Sequence, residues 1–271
     1  MITLLRAPPF AAIQDLGRFG HRGSAVPVSG AMDPGSLARA NALAGNDPNL
    51  AAMEWGIGAG QLRLAPGVVV GLAGADASVR REGDVLNVVE FQAGAWLYIA
   101  FRGGIDVPLV LGSRSTYLPA GFGGFEGRLL RTGDVLRVGA GGSGAKQPVP
   151  DSSLSRLNPG TFTVVPGPDR PLLDEPTWRR FLAAEWIVSR AVSRAGYRLE
   201  GPLLPFEAPD DLPSAPVCPG TVQLPPGGRP IVLMPDGPTV GGYPRIAVVV
   251  SGDLGRFAQR RPGESVRFSL P

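Results

Sequence analysis

Lysine, histidine and cysteine are almost absent from this sequence. Among 271 residues stand one lysine (Lys146), one histidine (His21) and one cysteine (Cys218), so 25 of the 26 basic residues are arginines. A single cysteine excludes a disulfide within the chain, and His21 with Cys218 cannot supply the nitrogen and sulfur ligands of an ordinary zinc site. Carboxylates alone would have to build a metal site, and no spacing among them suggests one. Lys146 lies in GGSGAKQP, which lacks the G-x-x-x-x-G-K-[ST] order of a phosphate-binding loop and has no flanking methionines of a biotin acceptor. A Schiff-base lysine would have to be this same residue, inside a stretch that reads as a linker.

Long apolar runs are missing as well. The longest, residues 66–77, is interrupted by Gly71 and Gly74 and falls well short of the ~20 residues that cross a bilayer. The opening MITLLRAPPF has too short an apolar run for a secretory signal and is closed by Pro8 and Pro9. A cytoplasmic protein with no membrane association is the expectation. Net charge is only +3, and the arginines are dispersed or paired (Arg80-Arg81, Arg179-Arg180, Arg260-Arg261) without interleaved aromatics. That pattern describes solvated surface pairs rather than a nucleic-acid face.

What the chain has in quantity is turn residues between apolar stretches. Glycine (39) and proline (29) make up about a quarter of the chain, while 44% of residues are hydrophobic. Glycine supplies positive φ and proline fixes φ at turn corners, so the spread predicts many short strands and a mainly β fold. Strands are predicted at 68–73, 95–101, 107–112, 162–167, 231–234 and 246–250. One helix follows Asp33, an N-cap with Pro34 in the first turn, and stops at Gly45, its apolar stripe running through Leu37, Ala40 or Asn41, Leu43 and Ala44. A second spans Asp174 to Ala184, with Trp178, Phe181 and Leu182 inward. Three copies of a turn-then-strand pattern, at 81–88, 131–138 and 261–268, place glycine and an acid before an alternating strand. Gly/Ser/Pro-rich residues 139–153 read as a linker or loop dividing an N-terminal β-rich half, 1–145, from a C-terminal β-barrel half, 154–271.

Several motifs carry polar chemistry. Gln14, Asp15, Arg18 and His21 fall within eight residues of one another; Asp15 and His21 with Ser24 or Ser29 would formally make a hydrolytic triad, and the alternative is a polar turn pinned by Asp15 and Arg18. Arg102-Gly103-Gly104-Ile105-Asp106, followed by Ser113, Arg114, Ser115 and Thr116, combines close backbone approach with groups that suit a carboxylate or phosphate; arginines bound to neighbouring acids around a hydroxyl-rich turn are the plainer reading. Residues 121–128, including Gly123 and Gly124, form a Gly/aromatic loop suited to cover a pocket. Gly56-Ile57-Gly58-Ala59-Gly60 is a turn and not a dinucleotide loop, since Gln61 stands where a third glycine belongs. In the second half Gln223 precedes Pro225-Pro226, and Asp236, Thr239, Gly241, Gly242 and Tyr243 then set an acid, donors and a ring on one loop, 234–244, between strands. Cys218 reads as a packed thiol.

The strings QDLGRFG, PVSGAMDPGSLARANALAGND, RGGIDVPLVLGSRSTYLPAGFGGFEGR, GYRLEGP, GTVQLPPGGRPIVLMPDGPTVGGYPRIAVV and RRPGE, in this order from residue 3 to 270, resemble the KipA-like family. Its members also go by the names 5-oxoprolinase C-type subunit, allophanate hydrolase subunit 2 and biotin-dependent carboxyltransferase subunit. Gly237-Pro238 depart from the family's usual two polar residues, and His21 and Cys218 match no motif. The resemblance implies a cyclophilin-like β-barrel architecture of two related halves with a few short helices, and a KipI-like partner on a separate chain. With a LamB/YcsF-like subunit added, it implies an ATP-dependent 5-oxoprolinase that converts 5-oxo-L-proline to L-glutamate. Two other roles stay open: a carboxyltransferase moving a carboxyl group from carboxybiotin to urea or a similar amide, and an antagonist of a kinase inhibitor. ATP or biotin would be presented by, or shared with, another subunit. Arg114, Asp236 and Tyr243 are expected to act on a small-molecule substrate, bound by Ser113, Ser115, Thr116, Gly123, Gly124, Gln223, Thr239, Gly241 and Gly242. Gln14, Asp15, Arg18, Ser29, Asp33 and Asn41 complete the family motifs.

Overall fold

The computed structural model describes residues 1–139, 160–207, 209 and 212–271. The expected linker, 139–153, lies outside the described residues apart from Gly139, as does Lys146. Two compact units emerge. One holds residues 1–19 with the chain from Ser29 onward; the other holds Gly20–Val28 with the chain of the second half. Nine residues of the N-terminal half are therefore part of the second unit.

The first unit is a seven-stranded sheet of β1 (Ile2–Arg6), β2 (Ala11–Gln14), β3 (Ala52–Gly56), β4 (Gly60–Leu64), β5 (Val70–Glu82), β6 (Val85–Phe101) and β7 (Val135–Leu136). Their order is β2-β3-β6-β4-β1-β7, with the long β5 also pairing β6. One face buries Leu4, Trp55, Leu62, Leu97, Ile99 and Phe101 in a continuous core. The other carries helix α1 (Pro34–Ala44), whose Leu37, Ala40 and Ala44 pack on Ala52, Tyr98 and Ala100. As the sequence predicts, Asp33 caps α1 by accepting from the Ser36 N–H at 3.1 Å, and Gly45 ends it in the left-handed region at φ 76°. Small residues let α1 lie close to the sheet: a Cβ on Gly71 would sit 2.0 Å from the Ala40 carbonyl oxygen.

The second unit is a closed barrel in the order β10-β13-β12-β15-β8-β16-β9. Its strands are β8 (Thr161–Pro166), β9 (Trp186–Val192), β10 (Gly196–Glu200), β12 (Thr221–Gln223), β13 (Ile231–Leu233), β15 (Arg245–Val249) and β16 (Ser265–Ser269). Parallel pairing of β8 with β16 sits among antiparallel neighbours. A two-stranded ribbon of β11 (Ala215–Pro216) and β14 (Val240–Gly241) stands apart from the barrel path. Helix α2 (Glu175–Ala183) starts from Asp174, which accepts from the Thr177 N–H, and buries Trp178 and Phe181, while Leu182 stays half-buried. Phe181 stacks on Phe268 and Phe162 meets Phe257 edge-on, an aromatic core inside the barrel.

The fold is mainly β, as expected, with differences in detail. Residues 107–112 are a loop and not the predicted strand. Pro108 has no N–H to give a ladder, and Leu111 (φ 52°) and Gly112 (φ 77°) turn the chain so that Val110 and Ser113 pair across it. A third helix, α3 (Ser251–Ala258), buries Phe257 and Ala258; Gly252 and Gly255 lower its local propensity enough to hide it in the sequence. All three turn-then-strand copies do turn on a positive-φ glycine (Gly83, Gly133, Gly263) and lead into β6, β7 and β16. No described helix is long and apolar enough to cross a membrane.

Candidate functional site

In the first unit the residues from widely separated motifs converge on Asp15, just past the end of β2. Its Oδ1 accepts from the Ser113 hydroxyl at 2.6 Å, the Ser115 hydroxyl at 2.5 Å and the Gly17 N–H at 2.8 Å, while Oδ2 accepts from the Arg114 N–H at 2.6 Å. The Ser115 oxygen accepts the Asp15 N–H in return at 3.0 Å. All four donors lie in the first unit, on Gly17 and the 113–115 turn, so the carboxylate pins that turn. Arg18, itself buried, donates to the Ser115 carbonyl and lies 4.8 Å over the Phe122 ring.

The neighbouring Thr116 carbonyl accepts from Gln14 Nε2 and the Ser29 hydroxyl, and its own hydroxyl donates to the Ile13 carbonyl. Gly123 and Gly124 are glycines because they pack onto this turn: a Cβ would lie 2.1 Å from the Ser115 carbonyl oxygen and 1.9 Å from Thr116 Oγ1 respectively. Gln14, Asp15, Arg18, Ser29, Ser113, Ser115 and Thr116 are all buried. They form an internal polar scaffold under the 113–116 turn. Arg114 is the exception, with 32% of its side chain exposed; Nε donates to the Val107 carbonyl at 2.8 Å and Nη2 stands 3.7 Å from Asp106. The Gly/aromatic loop 121–127 lines a cleft of about 430 Å³ together with Asp106, Val107 and Arg137.

Asn41 and Asp33 are accounted for by α1: Asn41 Nδ2 donates to the Pro48 and Leu50 carbonyls, and Asp33 is the cap. Arg102 donates to the Ala44 carbonyl at the C-terminus of α1, where a cation suits the helix dipole. Sequence reading missed Glu54 and Tyr98. The Tyr98 hydroxyl donates to Glu54 Oε2 at 2.8 Å and accepts the Asp33 N–H at 2.7 Å. Burial first, then the Glu54 and Asp33 carboxylates, push the phenol well above its ordinary range, keeping it a neutral donor. Both sit mid-strand among apolar residues, and no local pattern marks them.

In the second unit Asp236 is buried, and its carboxylate is held on both oxygens by Arg194, at 2.8 and 3.0 Å. The expectation places Asp236 on substrate; in the structure its carboxylate faces a guanidinium that anchors the 234–237 turn to the β9–β10 connection. Arg194 is the partner that sequence reading missed. The buried Gln223 donates over a long 3.5 Å to the Tyr243 carbonyl, and a Cβ on Gly241 would meet Gln223 Nε2 at 2.5 Å. The Tyr243 side chain is exposed, whereas Gly242 has only ordinary contact, 3.6 Å from Ser214 Oγ. Thr239, nine-tenths buried, lines a cleft of about 470 Å³ with Arg22 and Cys218. Cys218 is exposed. His21 precedes the single turn of 3₁₀ helix Arg22–Ser24. Among the described residues no group of three or more His, Cys, Asp or Glu side chains is placed to hold a metal ion.

A strand-rich sheet unit and a seven-stranded barrel, each with an anchored polar turn, define the class: residues 24–270 match the carboxyltransferase domain, subdomains A and B, and the chain belongs to this family. Within it, the C-type subunit of 5-oxoprolinase from Escherichia coli K12 is 36% identical over 99% of this chain and 90% of its own length. The subunit of the same name from Haemophilus influenzae is 32% identical over the same shares. Urea amidolyase of Lachancea kluyveri is 30% identical over 96% of this chain, but only 16% of its own length is involved. Among solved structures, Kluyveromyces lactis urea carboxylase superposes with a TM-score of 0.91 at 29% identity, covering 99% of this chain and 27% of the larger one. This chain thus spans about a quarter of that enzyme's length.

Proposed function

We propose that the chain is one subunit of a cytoplasmic, ATP-dependent 5-oxoprolinase that opens 5-oxo-L-proline to L-glutamate, working with KipI-like and LamB/YcsF-like subunits. The observation that carries this reading is the end-to-end correspondence with the C-type subunit of Escherichia coli 5-oxoprolinase, over 99% of this chain and 90% of the relative. The sequence has no G-x-x-x-x-G-K-[ST] loop, so in this reading the nucleotide is presented by, or shared with, a partner subunit.

Opening a lactam develops negative charge on the carbonyl oxygen, and a fixed guanidinium stabilises such charge. Arg114 meets that requirement: Asp15 fixes its backbone and Val107 its Nε, while a third of the side chain stays open to solvent. In this reading Asp15, Ser113, Ser115, Thr116, Gly123 and Gly124 shape the turn that presents Arg114. Asp236 with Arg194, and Gln223 with Gly241, hold the loop that presents Thr239 and Tyr243. The test is glutamate release from 5-oxoproline, with and without ATP, by the chain co-purified with both partners. ATP-dependent glutamate that disappears when this chain is omitted is the expected result; none from an assembled complex overturns the reading. Arg114→Ala is expected to lower turnover by at least about a hundredfold with assembly intact, checked by size-exclusion chromatography beside the assay.

A second reading, carboxyl transfer from carboxybiotin to urea or a similar amide, draws support from the family and from the TM-score of 0.91 to urea carboxylase. Lys146 has no biotin-acceptor context, so another chain would carry the biotin. Biotin-dependent carboxylation of urea by a complex that releases no glutamate would favour it.

A further inference from the structure

The cleft in the second unit has a chemistry that no motif reading anticipates. Arg22 lines it; its Nη2 donates to the Val217 carbonyl, while Nη1 is buried and has no hydrogen-bond partner among the described residues. Buried N–H groups almost always find an acceptor, and a cationic one left without an acceptor is costly. No carboxylate among the described residues forms an ion pair with Arg22. Asp236 is held by Arg194, and Asp169 by Arg245, which also donates to the Pro216 carbonyl at the wall of the cleft. Thr239, nine-tenths buried, lines the same cleft, and its hydroxyl makes no hydrogen bond among the described residues. Pro216, Val217 and Val240 give the cleft an apolar wall, and the exposed Gly23 leaves its mouth open.

We propose that this cleft is a binding site for the carboxylate of a small molecule, with Arg22 and Thr239 as its donors. One guanidinium nitrogen and one hydroxyl match a singly charged carboxylate, whereas a phosphate with about two negative charges wants more donors. The apolar wall suits a small ring next to the carboxylate. That the ring is 5-oxoproline rests on the 5-oxoprolinase reading; the carboxylate site itself does not.

Cys218 lines the same cleft, is exposed, and is the only cysteine of the chain, so its labelling by a thiol reagent reports on occupancy without ambiguity. The experiment follows the labelling rate of the full chain in the presence of 5-oxo-L-proline, acetate, 2-pyrrolidinone (the same lactam without its carboxylate) or inorganic phosphate. The expected result is saturable protection by 5-oxo-L-proline, weaker protection by acetate, and none by 2-pyrrolidinone or phosphate. Arg22→Ala and Thr239→Val should each weaken the ligand about tenfold or more, with Arg22→Lys intermediate. Circular dichroism identifies a variant that has not folded, and the ligand series on the unsubstituted chain decides independently of the variants. Equal protection by 2-pyrrolidinone, protection by phosphate alone, or no protection by any probe overturns the proposal. Protection by acetate without glutamate release from the assembled complex would keep the site and remove the 5-oxoprolinase reading.

Discussion

Asp15 shows how one buried carboxylate organises a turn. Each oxygen accepts from a backbone N–H, Oδ1 from Gly17 and Oδ2 from Arg114, while the two serine hydroxyls both reach Oδ1. A hydroxyl can rotate to donate or accept; a backbone N–H cannot. Asp15→Asn therefore sets its amide N–H against a backbone donor whichever way it is turned. The expected loss is about 1–3 kcal/mol, read as a lower urea midpoint, accompanied by loss of turnover because the turn that carries Arg114 slackens. The ion pair of Asp236 and Arg194 makes a harsher case. Removing one partner leaves a buried charge, so Asp236→Ala should cost about 3–5 kcal/mol by chemical denaturation. Arg194→Met combined with Asp236→Leu should recover most of it, since no charge then remains buried.

Among the elements, the close contact of α1 with β5 is one that a sequence change can probe directly. Gly71 has the Ala40 carbonyl, the Ala44 N–H and the Leu43 Cβ where its own Cβ would go, at 2.0, 2.7 and 2.9 Å. Gly71→Ala must push the helix off the sheet and is expected to cost about 1–3 kcal/mol. Gly252→Ala in α3, where nothing lies within 4 Å, should be neutral or slightly stabilising; thermal melts of the two variants test the contrast. Helix α1 was legible because its cap, its proline and its stop are local signals within a dozen residues. The 107–112 loop was not, because its apolar residues imitate a strand while Pro108 and two left-handed residues rule one out. Helix α3 was hidden for the opposite reason, its two glycines concealing an apolar face that only packing inside the barrel unit rewards.

Across the whole molecule the acid limit of stability follows from paired carboxylates in both units. Hydrogen bonds from Arg245 hold Asp169 below the usual carboxylate range, and those from Arg128 and the Arg131 N–H overcome burial to hold Asp134 below it too. Lowered folded values mean that the stabilisation is complete above the unfolded value of about 3.9 and is lost as pH falls through the folded ones. Stability should be flat from neutral pH to about 5 and then decline. Asp169→Asn should be less stable than the parent at pH 7 and show a shallower decline below pH 4, measured as urea midpoints across that range.

Composition and spacing alone determined the strand-rich class, the two capped helices α1 and α2 and the three glycine-acid turns, because each depends on local backbone preference; the family was legible only as a resemblance carried by long motif strings. The motif residues were legible as a set, from Gln14 and Asp15 to Arg114 and from Gln223 to Tyr243. Their division of labour was not. Burial turned Asp15, Ser113 and Ser115 into scaffold and left Arg114 open, and it gave Asp236 a partner, Arg194, 42 residues away. Only the tertiary structure assigned Gly20–Val28 to the second unit and set Arg22 beside Val217, Thr239 and Cys218. Such pairings join positions far apart in the chain, and the free energy that selects them comes from excluding water and matching donors to acceptors, which no short window of sequence contains.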